Sequence, residues 1–480
     1  MSKFVQRLFR KKDVVCDVED GPGLKRVLGA FDLTLLGIGC IIGTGIFVLT
    51  GVAAATQVGP AVVLSFIVSG TACAFAALAY SELAASVGGC GSAYGYSYAA
   101  FGELIAWIIG WDLILEYGVA TAAVANGWSG YFNNALAAIN LELPVKLTKG
   151  PFAMDSVTGL PDPGIMNLPA FCIILILMVL LCVGVKESAR LNTAMVFVKL
   201  STIAVFIAVG VFHVHPENWT PFMPFGWFDT TPDGKTIGVL AGASLVFFAY
   251  VGFDAVSTAV EEAKNPQKDI PIGILASLIF CTVIYIVVSG LLTAMVPYTS
   301  LNVSFPVAHA LTEVGVTWAS ALVATGVIAG LMTVMLVLYY ALTRIILAIS
   351  RDGLISPFFA RIHPKTHTPV RTTVMCGLVI AFTAGFVPLG MLAELVNIGT
   401  LAAFVLVCIG VIVLRIQRPE MKRPFKMPFG FVLPVLGVLS CGALIAFLPL
   451  ITQLRFLVWL AVGFVLYFAY SIRHSKLAKS

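Results

Sequence analysis

Runs of about twenty apolar residues recur along the whole chain, and nothing constrains its folding more. Twelve can be marked, at roughly 31–53, 60–85, 100–127, 168–186, 193–214, 237–260, 271–296, 318–349, 370–388, 391–414, 431–450 and 453–472. A helix of that length spans the hydrocarbon core of a bilayer. In lipid every backbone polar group must be satisfied internally, which leaves helices or closed barrels. Runs this long and continuous select helices. Composition agrees: of 480 residues 59% are hydrophobic and 11% charged, against about 25% charged in soluble domains. The mean hydropathy is +0.99. The expected fold is an all-α integral membrane protein with about 12 transmembrane helices and no separate soluble domain. Residues 1–28 are hydrophilic, so no signal peptide is expected before the first span.

Lys and Arg set the expected orientation. With the N-terminus placed in the cytoplasm, 24 of the 29 fall on the cytoplasmic side. Lys146, Lys149, Lys235 and Arg455 lie outside, and Lys199 falls within a span. This asymmetry predicts a multi-pass protein of the cell membrane with both termini cytoplasmic. It also accounts for the net charge of +5 without nucleic acid. The ten cysteines lie in or beside spans, apart from Cys16 and Cys90 on the cytoplasmic side. Neither a disulfide framework nor a metal site is expected, nor is a cofactor.

Within the first span, residues 37–47 read Gly-Ile-Gly-Cys-Ile-Ile-Gly-Thr-Gly-Ile-Phe. Each glycine costs about 1 kcal/mol relative to alanine in a helix interior, so four together imply a break around Gly43-Thr44-Gly45. Unwound backbone at membrane depth is tolerated only where protein buries it or it lines a cavity. The new half-helix offers N–H groups and the positive end of its dipole to a carboxylate. Carbonyls left by the preceding half, such as that of Ile41, suit an ammonium. Close packing through the Gly39–Gly43 pair is the competing explanation. A dinucleotide fingerprint is excluded by the glycine spacing.

The sixth span repeats the peculiarity, with Gly252 at mid-depth and Asp254 just beyond it, and would add carbonyls around Phe248, Ala249 and Val251. Interrupted helices at corresponding positions of two halves point to an inverted repeat with its site between them. Residues 29–214 are read as repeat 1 and 236–414 as repeat 2. Residues 1–28 form an N-terminal arm, 431–472 two added spans, and 473–480 a tail. The proline- and glycine-rich stretch 140–167 is an external loop. Residues 299–317, too short to span, form an external hairpin or surface helix able to serve as a lid or as a plain connector.

Charges within spans are costly enough to be functional by default. Lys199 lies roughly 9 Å into span 5 at 1.5 Å per residue. It either snorkels to the cytoplasmic surface or turns inward, there to bind and release a proton. Glu116 in span 3 and Asp254 in span 6 are its candidate partners. Asp112 shares a helix face with Glu116, while Glu82 and Glu103, near span ends, read as interfacial. In span 8, Met332 and Met335 could wall a pocket and restrict it to small or neutral side chains.

The stretch Gly37–Phe47, the run from Gly91 to Tyr98 with Gly102-Glu103-Leu104, and the run from Gly110 to Tyr117 resemble the amino acid–polyamine–organocation superfamily. Within it they are most similar to the cationic amino acid transporter branch, in its bacterial form. The resemblance implies a LeuT-type 5+5 inverted repeat with discontinuous helices 1 and 6, and alternating access around a central amino-acid site. Gly43, Thr44 and Gly45 would hold the carboxylate and Ile41 the amino group. Phe248 would gate the substrate, and Lys199 would stand where relatives bind sodium. Two features depart from animal members: they have fourteen spans, and a small polar residue where this chain has Met332. "Cationic" therefore does not transfer with the family name.

The expected function is secondary active transport of amino acids, by proton-coupled symport. Exchange, or carriage of polyamines or cationic amino acids, is the alternative. A channel or receptor fits less well, because the charges form no rings. No nucleophile motif, metal triad or phosphate loop suggests an enzyme. The expected partners are a small amino-acid substrate and membrane lipids.

Overall fold

The structure is a computed structural model that describes residues 10–11, 26–87, 93–153, 161–183, 189–232, 234, 236–364, 366 and 368–476. Cys16, Cys90, Gly91, Ser92, Lys186, Lys235 and most of the basic N-terminal arm lie outside them. Among the described residues, eight helical stretches are long and apolar enough to cross a membrane, and four shorter apolar helices accompany them. The strands β1 (Asp229–Thr230) and β2 (Thr236–Ile237) pair antiparallel in the loop before the sixth span.

The first span is two pieces. Helix α1 (Ala30–Ile41) stops and α2 (45–58) begins with the wide turn Gly45–Leu49. Gly59, at φ +74°, turns the chain into α3 (Val62–Val87). A short helix, α4 (Ala93–Ala100), precedes α5 (Glu103–Ala138). Helix α5 runs eleven residues past the expected end of span 3. Helices α6 (Leu168–Val183) and α7 (Ala189–Gly210) follow.

The sixth span is also divided. Helix α8 (Val239–Val246) passes into the tight turns Phe247–Tyr250 and Phe253–Glu262. Next come α9 (Pro266–Met295), the short helix α10 (Pro306–Glu313) and α11 (Thr317–Arg351). Helices α12 (Val370–Phe386), α13 (Leu389–Gln417), α14 (Val432–Phe447) and α15 (Leu450–Leu466) complete the chain.

Small residues let these helices approach closely. A Cβ on Gly37 would run into Ser277 of α9, and one on Gly51 into Pro306 of α10. This short helix thus sits directly on α2. At the opposite face Arg10, Tyr467 and Ser475 converge on the start of α5. The Glu103 N–H donates to the Arg10 carbonyl (2.9 Å), and its carboxylate accepts from the Tyr467 and Ser475 hydroxyls. Glu103 is fully buried, and so is Glu82, which accepts from Arg415 Nε at 2.9 Å and the Met427 N–H at 2.7 Å. Arg423 Nε lies 3.5 Å from the same carboxylate. The interfacial reading of these two glutamates is therefore corrected. Each is an acceptor closed over by segments that come after the repeats, which a span-by-span reading does not bring near.

Candidate functional site

The break in the first span is short. Ile42 leaves helical geometry (φ −73°, ψ 100°) after its N–H closes the last bond of α1 to Ile38. Thr44 is already helical, and the Phe47 N–H returns to the Gly43 carbonyl at 3.4 Å. The first N–H groups of the new half-helix have no partner within it, nor do the last carbonyls of α1. Those carbonyls are met by side chains from elsewhere. Lys199 Nζ donates to the Gly39 carbonyl at 2.6 Å, and the Tyr285 hydroxyl reaches that of Ile41 at 2.9 Å. A cation at a helix C-terminus is also favoured by the dipole.

The second break is longer. Val251 is extended (φ −58°, ψ 132°), and Gly252 sits at φ +110°, where a side chain would be strained. The Asn397 amide donates to the Ser244 (2.7 Å) and Leu245 (3.0 Å) carbonyls, and Tyr285 also reaches that of Ala249 at 2.8 Å. The two breaks abut. A Cβ on Gly45 would collide with the Ala249 backbone, and one on Gly252 would press on Cys40.

Between them lies a cavity of about 20 Å³, room for roughly one water. Ile41, Gly43, Thr44 and Gly45 line it from the first span, and Phe248 and Val251 from the sixth. Ala120 and Val124 of α5 and Val334 and Leu338 of α11 close it. The Thr44 hydroxyl is buried and has no hydrogen-bond partner among the described residues. Gly127 makes room for it, since a Cβ there would meet Thr44.

Six of the eight residues expected at a substrate site therefore share one cavity. Ala249 lies beside it, with its carbonyl engaged by Tyr285. Met332 is half-buried against the core and does not line the cavity. On α11 that position belongs to Val334 and Leu338, two and six residues on, because the helix turns a different face inward.

Lys199 is 1% exposed and does not snorkel. A Cβ on Gly330 of α11 would press on its aliphatic stem, so that glycine admits the lysine. Lys199 donates to a carbonyl of α1, and Asp254 accepts from the Tyr117 hydroxyl at 3.1 Å. Glu116, Asp254 and Asp112 are all buried, and each has a carboxyl oxygen with no hydrogen-bond partner among the described residues. Tyr285 and Asn397 were missed from sequence. The only signal for Asn397 was a lone amide within an apolar run, and Tyr285 gave none.

Residues 28–470 match the family model described as amino acid permease. A methylthioribose transporter of Bacillus subtilis (strain 168) is 50% identical over 474 residues, 98% of this chain and 99% of the relative. The branched-chain amino acid permease BcaP of the same organism is 49% identical over the same shares of both chains. A vacuolar cationic amino acid transporter 4 of Arabidopsis thaliana is 38% identical over 404 residues, 84% of this chain and 65% of the relative.

Proposed function

From the premise that the chain belongs to the amino acid permease family, and is thus a multi-pass membrane transport protein rather than an enzyme, we propose that it carries neutral amino acids across the cell membrane by alternating access. One observation carries the reading: two interrupted helices abut at a single buried cavity, presenting opposite polarity to it. An α-amino acid is complementary to that pair of ends. Its carboxylate is held by the N–H groups of Gly43, Thr44 and Gly45 at the start of α2. Its ammonium is held by the Ile41 carbonyl and by carbonyls around Phe248, Ala249 and Val251. Phe248 covers the bound molecule, and Val334 and Leu338 bound its side chain. A cavity of about 20 Å³ does not admit such a ligand as it stands, so binding requires the helices to part.

The wider reading has the same standing. Twelve spans, arranged as two inverted five-helix repeats of the LeuT type plus two, accommodate the eight long and four short apolar helices, and both termini face the cytoplasm. Transport is proton-coupled symport. Lys199 senses the state of α1 through the Gly39 carbonyl, and Glu116 and Asp254 exchange protons nearby. No bound cofactor is needed.

Methylthioribose is the second reading to test, because the relative so named is as similar as the branched-chain permease. It has neither a carboxylate nor an ammonium to engage the two helix ends. Counterflow in proteoliposomes separates the possibilities. Labelled L-leucine should accumulate against excess unlabelled partner, with competition by the twenty amino acids, putrescine and methylthioribose run in parallel. Competition by methylthioribose alone would replace the amino-acid reading, and no counterflow with any of them would remove it.

A further inference from the structure

The Tyr285 hydroxyl lies between the broken ends of the two interrupted spans, 2.9 Å from the Ile41 carbonyl oxygen and 2.8 Å from that of Ala249. A phenol has one hydrogen to donate, so it serves one carbonyl at a time while holding both within reach. Its ring cannot drift. It is fully buried, 5.3 Å from the ring of Phe66 and 5.4 Å from that of Tyr250, and Tyr250 is itself fixed by a bond to the Phe66 carbonyl at 2.8 Å. The hydroxyl therefore ties α1 to the unwound part of the sixth span from a third helix, α9.

That tie belongs to the closed, nearly filled cavity. Admitting a ligand larger than one water moves the two ends apart, and a single hydroxyl cannot then reach both oxygens. An ammonium seeks the same Ile41 carbonyl. We infer that Tyr285 is a positioning residue that holds the empty site shut and competes with the substrate's ammonium for the carbonyls at the two breaks. It thereby sets substrate affinity without contributing a bond of its own to the substrate. The inference rests on the amino-acid reading above. Affinity for a protein whose competent state is only partly populated is reduced by that fraction, and loosening the tie raises the fraction. The carbonyl left without a donor in the empty site also gains more from an incoming ammonium.

Tyr285→Phe keeps the ring and removes the tie. In full-length protein in proteoliposomes, the half-saturating L-leucine concentration for counterflow should fall about fivefold, about 1 kcal/mol by RT ln of the ratio, with no gain in maximal rate. Tyr467→Phe, which removes a buried hydroxyl that donates to Glu103 away from the breaks, should leave it unchanged. A purely structural hydroxyl would lower the yield or maximal rate of Tyr285→Phe and leave half-saturation where it was. That result, or a rise, overturns the inference while wild-type exchange leaves the amino-acid reading intact. If the wild type exchanges no amino acid, both fall together. Should Tyr285→Phe not reach the membrane folded, Tyr285→Leu is the second variant, with the same fall expected. Failure of both to fold assigns the hydroxyl to stability and overturns the proposal.

Discussion

The two interruptions meet at one point in the molecule and are made in different ways. The first is local. Two residues, Ile42 and Gly43, leave the helix, and a new helix is under way by Thr44. The second extends over sixteen residues, 247–262, as tight turns on either side of a left-handed glycine. The carbonyls at the end of α8, where it begins, are met by an amide from α13, and the Ala249 carbonyl within it by a phenol from α9. A short break keeps the donors of a well-formed half-helix aimed at one place, which suits a fixed group of the ligand. A long break supplies adaptable carbonyls and depends on distant side chains to hold its shape. One break is written mainly in local glycines and the other mainly in tertiary contacts.

That contrast can be broken at several points. The largest effect is expected at Gly45, where the only space for a side chain is occupied by the Ala249 backbone. Gly45→Val should abolish counterflow and impair folding, since overpacking typically costs about 1–3 kcal/mol and backbone cannot swing aside as a side chain can. Normal counterflow by that variant would mean that the breaks do not abut. Next is Lys199, which holds the end of α1. Lys199→Ala should abolish accumulation driven by an inward pH gradient while leaving appreciable counterflow. Undiminished gradient-driven uptake would remove the lysine from coupling. A smaller loss is expected at the second break. Asn397→Ala strips donors from two buried carbonyls, each worth about 1–3 kcal/mol when left unsatisfied. The midpoint of thermal unfolding in detergent should drop by several degrees, and an unchanged midpoint would show that the long break needs no outside support.

How far the sequence was legible follows the same line. Four glycines in eleven residues marked the first break to within two positions, because backbone freedom is a local property. Gly252 likewise marked the second. What holds that break open was not legible, because Tyr285 and Asn397 act from helices 36 and 152 residues away in sequence. Met332 illustrates a narrower limit: the right helix was chosen, but the side of a long apolar helix that faces a cavity depends on its rotation, which an apolar pattern leaves open. Lys199 was identified by its cost in lipid, yet it donates to a backbone carbonyl, which no side-chain pattern reveals. Glu82 and Glu103 were read by depth alone, and chain segments that come after the two repeats close over both.

The smallest expected effect is the sharpest test of why the glycines are there. If all of them served close packing, alanine would be resisted everywhere along the motif. At Gly43 it should not be, for a Cβ there comes no nearer than 3.7 Å to Val334, an ordinary contact. Gly43→Ala should therefore fold as well as wild type, with an unfolding midpoint unchanged within error. Its methyl group would instead project toward Val334, on the cavity wall proposed above to bound the substrate side chain. Large amino acids should then compete about two- to fivefold less well, below the roughly tenfold minimum seen when one methylene is added to or removed from a pocket, while glycine and alanine compete as before. A destabilised Gly43→Ala variant would return this residue to the packing explanation. A stable one with an unchanged preference would move the substrate side chain away from the Gly43–Val334 wall.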